Sequence, residues 1–188
     1  MHLWLRMLRV LIAALFRPRL DFHQESRLAF RVWPHDLDIN IHMNNARYVA
    51  LMDLGRLDLI LRCGVWRPML KCRWQAVIGG SLIRYRRPLG PFQSFSLTSR
   101  LLSWDDKWIY IEHRIEAGAA MACHAIVRAA FVEAGKVVSP HRVAEAAGFA
   151  GIQPVLPDWV GAWRDADRAF EQQQPPLTAA GEEMTCVR

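Results

Sequence analysis

A long apolar helix followed by a run of alternating segments constrains the fold of this chain more than any other feature. Residues 44–62 place apolar side chains at helical spacing, and Gly64 follows as a helix stop signal. The apolar stripe is so wide that the helix has to be covered on most of its sides. Its members are Tyr48, Leu51, Met52, Leu54, Leu57, Leu59, Ile60 and Leu61.

Five segments show the two-residue alternation that is typical of β-strands. Residues 26–33 precede the helix and place Leu28, Phe30 and Val32 on one face. The other four follow the helix and are joined by short turns: residues 76–85, 92–104, 108–115 and 121–133. Such an antiparallel sheet can bury one helix only by curling around it. We therefore predict an α+β fold in which a curled antiparallel sheet wraps around one long central helix.

The charge of the chain favours anionic partners. Its 188 residues are enough for one domain with a substantial core, and 52% of them are hydrophobic. The formal charge of +6 suits the phosphates of a coenzyme, an acidic membrane surface or nucleic acid. Nucleic acid is the least favoured, because the aromatic residues lie in apolar alternating segments and no basic helix stands out.

The cysteines indicate a reducing compartment. Cys63, Cys72, Cys123 and Cys186 form no CxxC pair and have no metal-ligand spacing. We expect four reduced thiols in a cytoplasmic protein.

The N-terminal residues predict an amphipathic basic helix. Residues 3–16 are apolar except for Arg6 and Arg9, which fall with Arg17 on one helical stripe. The arginines interrupt the apolar run, so it is too short to cross a bilayer and does not resemble a signal peptide. Two interpretations remain. The helix lies at the inner face of a membrane with its arginines at the headgroups, or it packs its apolar face on its own domain or on a partner subunit.

The chain divides by composition into four predicted parts. They are a basic helix and linker at 1–25, the main domain at 26–138, a C-terminal helical extension at 139–170, and a Gln/Pro-rich disordered tail at 171–188. The extension is predicted to hold two helices, at 139–147 and 157–170.

The segment from Pro34 to Tyr48 concentrates the candidate chemistry. It holds two aspartates, two histidines and three asparagines directly before and at the helix start. A carboxylate there is placed to attack a thioester, and the first free amides of the helix can hold the resulting oxyanion. Asp38 is the candidate base or nucleophile; the alternative is that it caps the helix or folds the loop.

Several motifs in this order resemble the hotdog-fold thioesterases, within the 4-hydroxybenzoyl-CoA thioesterase-like branch. The match is most specific for the thioesterase superfamily member 6 group and its bacterial relatives, and it covers residues 26–163. The motifs are Asp36-Leu37-Asp38, His42 to Tyr48, Arg62-Cys63-Gly64-Val65, Trp104-Asp105-Asp106 and Ser139-Pro140. The resemblance implies a hotdog domain at 26–138 that hydrolyses an acyl-CoA or acyl-ACP thioester to the free acid and a thiol. It also implies at least a homodimer, with the two sheets joined edge to edge.

The resemblance assigns roles to individual residues. Asp38 becomes the catalytic acid, and the main-chain amide of Asn45 polarises the thioester carbonyl. His42 orients Asp38 or binds substrate, although a buried histidine that braces the loop is the favoured alternative. Relatives usually carry glycine where this chain has Ile41. Isoleucine restricts the backbone more than glycine does and leaves less room for a substrate.

Further residues are candidates for contact with the substrate. Asn44 is the predicted N-cap of the helix. Tyr48 lines an acyl pocket or packs in the core. Arg84, Arg86 and Arg87 form a rim for the phosphates of CoA, or simply a solvated basic strand end.

Other chemistries are less favoured. His35, Asp36, Asp38 and His42 fit no metal-ligand pattern, and no Gly-x-Ser-x-Gly elbow is present. No cofactor is therefore expected apart from CoA as part of the substrate. The alternative function is a non-catalytic hotdog protein that binds acyl chains or organises partners at a membrane; a dehydratase is a weaker third possibility.

Overall fold

The computed structural model describes residues 3–149 and 151–173. The helices are α1 (Leu3–Phe16), α2 (Asn45–Arg62), α3 (Trp66–Lys71), α4 (Pro140–Ala146) and α5 (Asp158–Gln173), with a short 3-10 helix at Pro34–Asp36. The strands are β1 (Ser26–Arg31), β2 (Gln75–Tyr85), β3 (Ser94–Trp104), β4 (Ile109–Ala117), β5 (Ala120–Glu133) and β6 (Lys136–Val138). Every predicted helix and strand is present within a few residues, whereas α3 and β6 were not predicted.

The strands form one antiparallel sheet in the order β1-β3-β4-β5-β2, and β6 pairs with the end of β5. α2 packs against β1, β3 and β4. Its Leu51 and Met52 are completely buried, as are Leu97 on β3 and Ile115 on β4. The predicted α+β architecture, a curled antiparallel sheet around one long helix, is confirmed.

A glycine allows α2 to lie close to the sheet. A Cβ atom on Gly55 would stand only 2.2 Å from the Oγ of Ser99 and 3.1 Å from a methyl carbon of Leu97, both on β3. Real Cβ atoms do not approach other atoms this closely, so any larger residue would push the helix away from β3. The position of α2 over the sheet therefore depends on the absence of a Cβ atom at Gly55.

The orientation of α1 contradicts one expectation drawn from its sequence, the packing of its apolar face on its own domain, while contact with a membrane or a partner subunit stays a prediction. Arg6 and Val10 face the domain, only 2% and 3% exposed, whereas Arg9 is exposed. The larger apolar side chains point outward, so the helix does not pack its apolar face on its own domain, and Arg6 is not available to a lipid headgroup. The physical reason is a buried acidic partner for Arg6, described below.

The chain forms two compact units, Met1–Pro154 and Val155–Arg188. The sheet, α1, α2, α3 and α4 belong to the first, and α5 belongs to the second. α5 continues to Gln173, into the segment predicted as a disordered tail, and the remainder of that segment lies outside the described residues. The four-part division at 1–25, 26–138, 139–170 and 171–188 stays a prediction. None of the helices in the described part of the chain is both long and apolar enough to cross a membrane.

Candidate active site

The loop before α2 is closed by its own backbone. Leu37 and Met43 form an isolated antiparallel bridge, and the Asp38 N–H donates to the carbonyl of His42 at 2.9 Å. The N–H of Ile41 donates back to the Asp38 carbonyl at 3.1 Å. These bonds make a tight turn with Asp38 at its base, so the position of this carboxylate is set by backbone geometry.

The Asp38 carboxylate uses one of its two oxygens to fold the loop. Its Oδ1 accepts hydrogen bonds from the N–H groups of Asn40, at 2.8 Å, and of His42, at 3.4 Å. Oδ2 accepts no hydrogen bond from the described part of the chain, and the side chain is half-buried. The two roles considered for Asp38 are therefore compatible: Oδ1 organises the loop, while Oδ2 retains its lone pairs for a substrate or a water molecule.

The start of α2 presents a free amide next to this loop. Asn44 is the N-cap, as predicted: its side-chain oxygen accepts from the N–H of Ala46 at 2.9 Å, and its own N–H donates to the Asp36 carbonyl at 2.8 Å. Asn45 is the first helical residue, and its N–H has no acceptor within the described chain. An unpaired amide at a helix N-terminus is a ready site for negative charge.

A buried ion pair anchors the loop to α1. The guanidinium of Arg6 binds both oxygens of Asp36, at 3.2 and 2.5 Å, and donates to the Arg31 carbonyl at 3.1 Å. Asp36 is 1% exposed and also accepts from the N–H of Trp33 at 3.0 Å. Because Asn44 hydrogen-bonds to the carbonyl of Asp36, this ion pair helps to hold the start of α2.

Two tyrosines bring the end of β2 against the first turn of α2. The rings of Tyr48 and Tyr85 meet edge to face, with centroids 5.3 Å apart, and the hydroxyl of Tyr85 donates to the Asn45 carbonyl at 3.3 Å. Burial raises the pKa of Tyr48 to about 12, and the nearby charge of Asp38 adds to the rise. Tyr48 is 2% exposed and belongs to the core, where it stays a neutral phenol at pH 7.

The predicted basic rim lies beside these tyrosines. Arg84, Arg86 and Arg87 are exposed and form no ion pair with another described residue. The N–H groups of Arg86 and Arg87 both donate to the Ala122 carbonyl, which fixes the backbone at this end of β2. Since Tyr85 contacts Asn45, the fold brings this basic segment to the start of α2.

His42 and Ile41 differ from their expected environments. The favoured interpretation of His42 as a buried histidine is wrong, since its side chain is exposed and it contacts Asp38 only through the backbone. Ile41 adopts a left-handed φ of 58°, which explains why glycine suits this position. Its side chain is 63% exposed, so it points to solvent and does not fill the loop.

An apolar cavity lies elsewhere in the molecule. Its volume is about 120 Å³, and it is enclosed by the C-terminal half of α2, the concave face of the sheet and α4, with Leu59, Ile111 and Val143 among its lining residues. Asp38, Asn45 and Tyr48 do not line it. Packed core residues of α2, including Leu51 and Met52, separate it along the helix from the loop. No group of three or more His, Cys, Asp or Glu side chains within the described residues is placed to hold a metal ion.

The fold and this helix start agree with comparisons to known proteins. A family model described as the thioesterase-like superfamily matches residues 32–163, which is more than half of the chain. The chain belongs to the thioesterase-like superfamily. The resemblance to the thioesterases is thereby confirmed, and the matched region contains both the Asp38 loop and all of α2.

Individual relatives of this thioesterase-like chain align with only part of its length. Protein THEM6 of Xenopus laevis is 40% identical over 97 residues, 52% of this chain and 47% of that protein. Protein THEM6 of Danio rerio is 38% identical over 112 residues, 59% of this chain and 55% of that protein. The chain thus spans about half the length of the curated relatives it matches. The structure of Escherichia coli YbaW, a probable thioesterase, superposes with a TM-score of 0.60 at 21% identity and covers 65% of this chain and 95% of that one, which shows the shared fold.

The sequence did not reveal the contacts that hold the candidate site in place. Asp36 stood out in the sequence only as part of the Asp36-Leu37-Asp38 motif, with no indication of a partner on α1. The partner Arg6 is 30 residues away in the chain. The one available signal was an arginine on an otherwise apolar helix, which an acidic partner in the core explains as well as a lipid headgroup does.

Proposed function

We propose that this protein hydrolyses acyl thioesters of coenzyme A or of acyl carrier protein to the free acid and the thiol. The thioesterase-like family supports this class of reaction. The observation that carries the proposal is that the loop before α2 and the start of α2 hold both a free Asp38 Oδ2 and the unpaired N–H of Asn45. The carboxylate supplies a base or nucleophile, and the amide supplies a donor for the oxyanion.

In the general-base form of the reaction, the oxygen of a water molecule adds to the thioester carbonyl carbon while Asp38 takes one proton from that water. The Asn45 amide stabilises the negative charge on the carbonyl oxygen. The C–S bond then breaks, and the departing thiolate receives the proton. In the nucleophilic form, Asp38 displaces the thiolate and forms a mixed anhydride, which water hydrolyses. Neither form needs a cofactor beyond the CoA of the substrate.

The phosphates of CoA are proposed to bind at Arg84, Arg86 and Arg87. These side chains are exposed and without an acidic partner in the described chain, and Tyr85 between them contacts Asn45. Guanidinium groups bind phosphate oxygens in pairs of parallel hydrogen bonds. Asn44 and His42, both exposed beside the loop, are proposed to border the rest of the substrate.

A homodimer joined along β2 is proposed to complete the site. Among the described strands, β2 is an edge strand with β5 as its one partner, and its Val77, Ile78 and Leu82 are 38–48% exposed. An apolar unpaired edge is suited to pairing with a second copy. We place the protein in the cytoplasm, a proposal supported by the free thiols of Cys63, Cys72 and Cys123.

A second candidate function is a non-catalytic acyl-binding or scaffold protein at a membrane surface. Two observations favour it. Ile41 occupies a left-handed position at which an L side chain is strained, and one oxygen of Asp38 is already used by the loop. Under this alternative, Asp38 serves only to fold the loop.

The two functions are separated by measuring thiol release from a panel of acyl-CoA esters with a thiol reagent, using the full chain and Asp38→Asn. Asparagine keeps Oδ1 as an acceptor for the amides of Asn40 and His42 but removes the base. We expect a loss of about 10²–10⁴-fold in kcat. Asp106→Asn, at an exposed turn, is the matched control and should keep full activity. Release that Asp38→Asn leaves unchanged, or no release from any ester, would favour the second function.

A further inference from the structure

The outward face of α1 is a continuous apolar surface. Side chains at helical spacing lie within one stripe and are 50–84% exposed, an unusual degree for large apolar residues. We call this set the apolar ridge; it consists of Trp4, Leu5, Leu8, Ile12, Leu15 and Phe16. The opposite side of α1 packs on the domain through the buried Arg6, so the ridge belongs to a helix that is packed in place.

Contacts at both ends of α1 hold the ridge outward. Near the start, Arg6 binds both carboxylate oxygens of Asp36. After its end, Arg17 donates to the Arg27 carbonyl at 2.9 Å and lies 3.6 Å from the carboxylate of Asp58, which is completely buried. Turning the ridge inward would leave Asp36 without its closest cation in the core. The apolar side chains therefore face outward as a stable property of the fold.

A basic groove borders the ridge. It lies between α1 and the outward face of β1, has a volume of about 670 Å³, and is lined by Arg9, Arg27 and Arg31. These three side chains are exposed, and Glu116 is the one acidic residue among those lining the groove. We call this feature the arginine groove. Its guanidinium groups are suited to phosphate oxygens.

We infer that the apolar ridge and the arginine groove together dock the protein on the surface of an anionic lipid bilayer. Apolar side chains enter the boundary between headgroups and acyl chains, and adjacent arginines bind lipid phosphates, as in interfacial helices. Charge argues against a second copy as the occupant: Arg9 lies midway along α1, so antiparallel pairing of two α1 helices would bring two such arginines together.

The ion pair links this surface to the candidate site. Arg6 on α1 holds Asp36, two residues before Asp38, so a bilayer docked on the ridge would lie against the helix that braces the loop. Docking itself is independent of thioester hydrolysis and can be measured without a substrate.

The test is flotation of the full chain with vesicles of phosphatidylcholine alone or with about one third phosphatidylglycerol. We expect binding to the anionic vesicles, weaker binding to the neutral ones, and a loss on raising the salt concentration. Leu8→Gln/Ile12→Gln in the ridge and Arg9→Gln/Arg27→Gln in the groove should each lower the partition coefficient at least tenfold. The matched controls, Leu70→Gln/Val137→Gln and Arg67→Gln/Lys136→Gln, change exposed residues elsewhere and should bind as the parent does.

Three results would overturn the inference. The first is that the protein does not bind anionic vesicles. The second is that the ridge and control variants lose binding equally. The third is that Leu8→Gln/Ile12→Gln lowers the molar mass of the protein measured by light scattering without vesicles. The last would assign the ridge to a contact between copies. Circular dichroism of each variant identifies loss of folding, and thiol release from acyl-CoA in solution tests the proposed hydrolysis separately.

Discussion

Arg6 and Asp36 form a two-point ion pair in the core, with side chains 2% and 1% exposed. The guanidinium reaches across 30 residues of sequence from α1 to the loop before α2. The two opposite charges satisfy each other where neither could remain ionised alone without a large desolvation cost. The pair therefore joins an N-terminal helix to the loop that carries Asp38.

Replacing Arg6 with methionine should destabilise the protein strongly. The substitution leaves a buried carboxylate without its main partner, which costs about 3–5 kcal/mol in comparable cases. Urea unfolding measures the change in the free energy of unfolding. Arg9→Met on the same helix removes an exposed arginine and should change it by less than about 0.5 kcal/mol. A loss in Arg6→Met no larger than in this control would show that the pair contributes little.

Replacing Ile41 with glycine should stabilise the protein by up to about 1.5 kcal/mol. A β-branched residue at φ 58° carries about 1–2 kcal/mol of strain, which glycine avoids. The greater freedom of glycine in the unfolded chain offsets about 0.5–1 kcal/mol of this gain. Ile39→Gly is the matched control, because Ile39 is 98% exposed and has a negative φ; it should not stabilise. Thermal unfolding of both variants decides the outcome.

Replacing Gly55 with alanine should be destabilising by about 1–3 kcal/mol, although alanine is the better helix former. The new methyl group would stand 2.2 Å from the Oγ of Ser99. In the double variant Gly55→Ala/Ser99→Ala, that oxygen is gone, so the combined loss should be smaller than the sum of the two single losses. Additive losses in the four-member cycle would contradict a clash with the hydroxyl group.

The stability of the fold should fall as the pH drops from 6.5 to 4.5 because of His113. This ring is completely buried, and desolvation together with Arg56 lowers its pKa to about 3. Arg56 can only donate to Nε2, at 3.4 Å, so Nδ1 carries the proton and donates to the Ser99 Oγ at 2.8 Å. Below the pKa of histidine in the unfolded chain, the unfolded state binds a proton that the buried ring does not. The free energy of unfolding therefore falls with pH in that range, by up to about 1.4 kcal/mol per pH unit.

The neighbouring Glu112 does not account for a loss of stability between pH 6.5 and 4.5. Hydrogen bonds from His124 and Arg100 lower the pKa of Glu112 to about 2, so its contribution is complete above pH 4.5 and is lost only as the pH falls further toward 2. Urea unfolding at pH 6.5 and 4.5 should therefore give a difference of about 2–3 kcal/mol. His113→Leu should reduce that difference, whereas His141→Gln, at an exposed site, should keep it. An unchanged difference in His113→Leu would show that another group titrates.

Local patterns were enough to predict α2 with its N-cap, the five long strands, and from them the wrapped architecture. Helix periodicity, the capping preference of Asn44 and the alternation of strand residues depend on neighbours within a few positions. The short α3 and β6 have too few residues to show a period. The motif around Asp38 marked the candidate site for the same reason, since its parts lie within a dozen residues of one another.

Contacts between distant segments decided the rest. The face that α1 turns inward depends on whether the core holds an acidic partner. The positions of β1 and of the loop after it bring Asp36 to Arg6. The exposure of His42 and the burial of His113 likewise depend on which other segments pack against them, and their neighbours in the sequence do not determine it. A side chain's burial and charge state are set by desolvation and by partners far along the chain, and these arise only when the segments pack together.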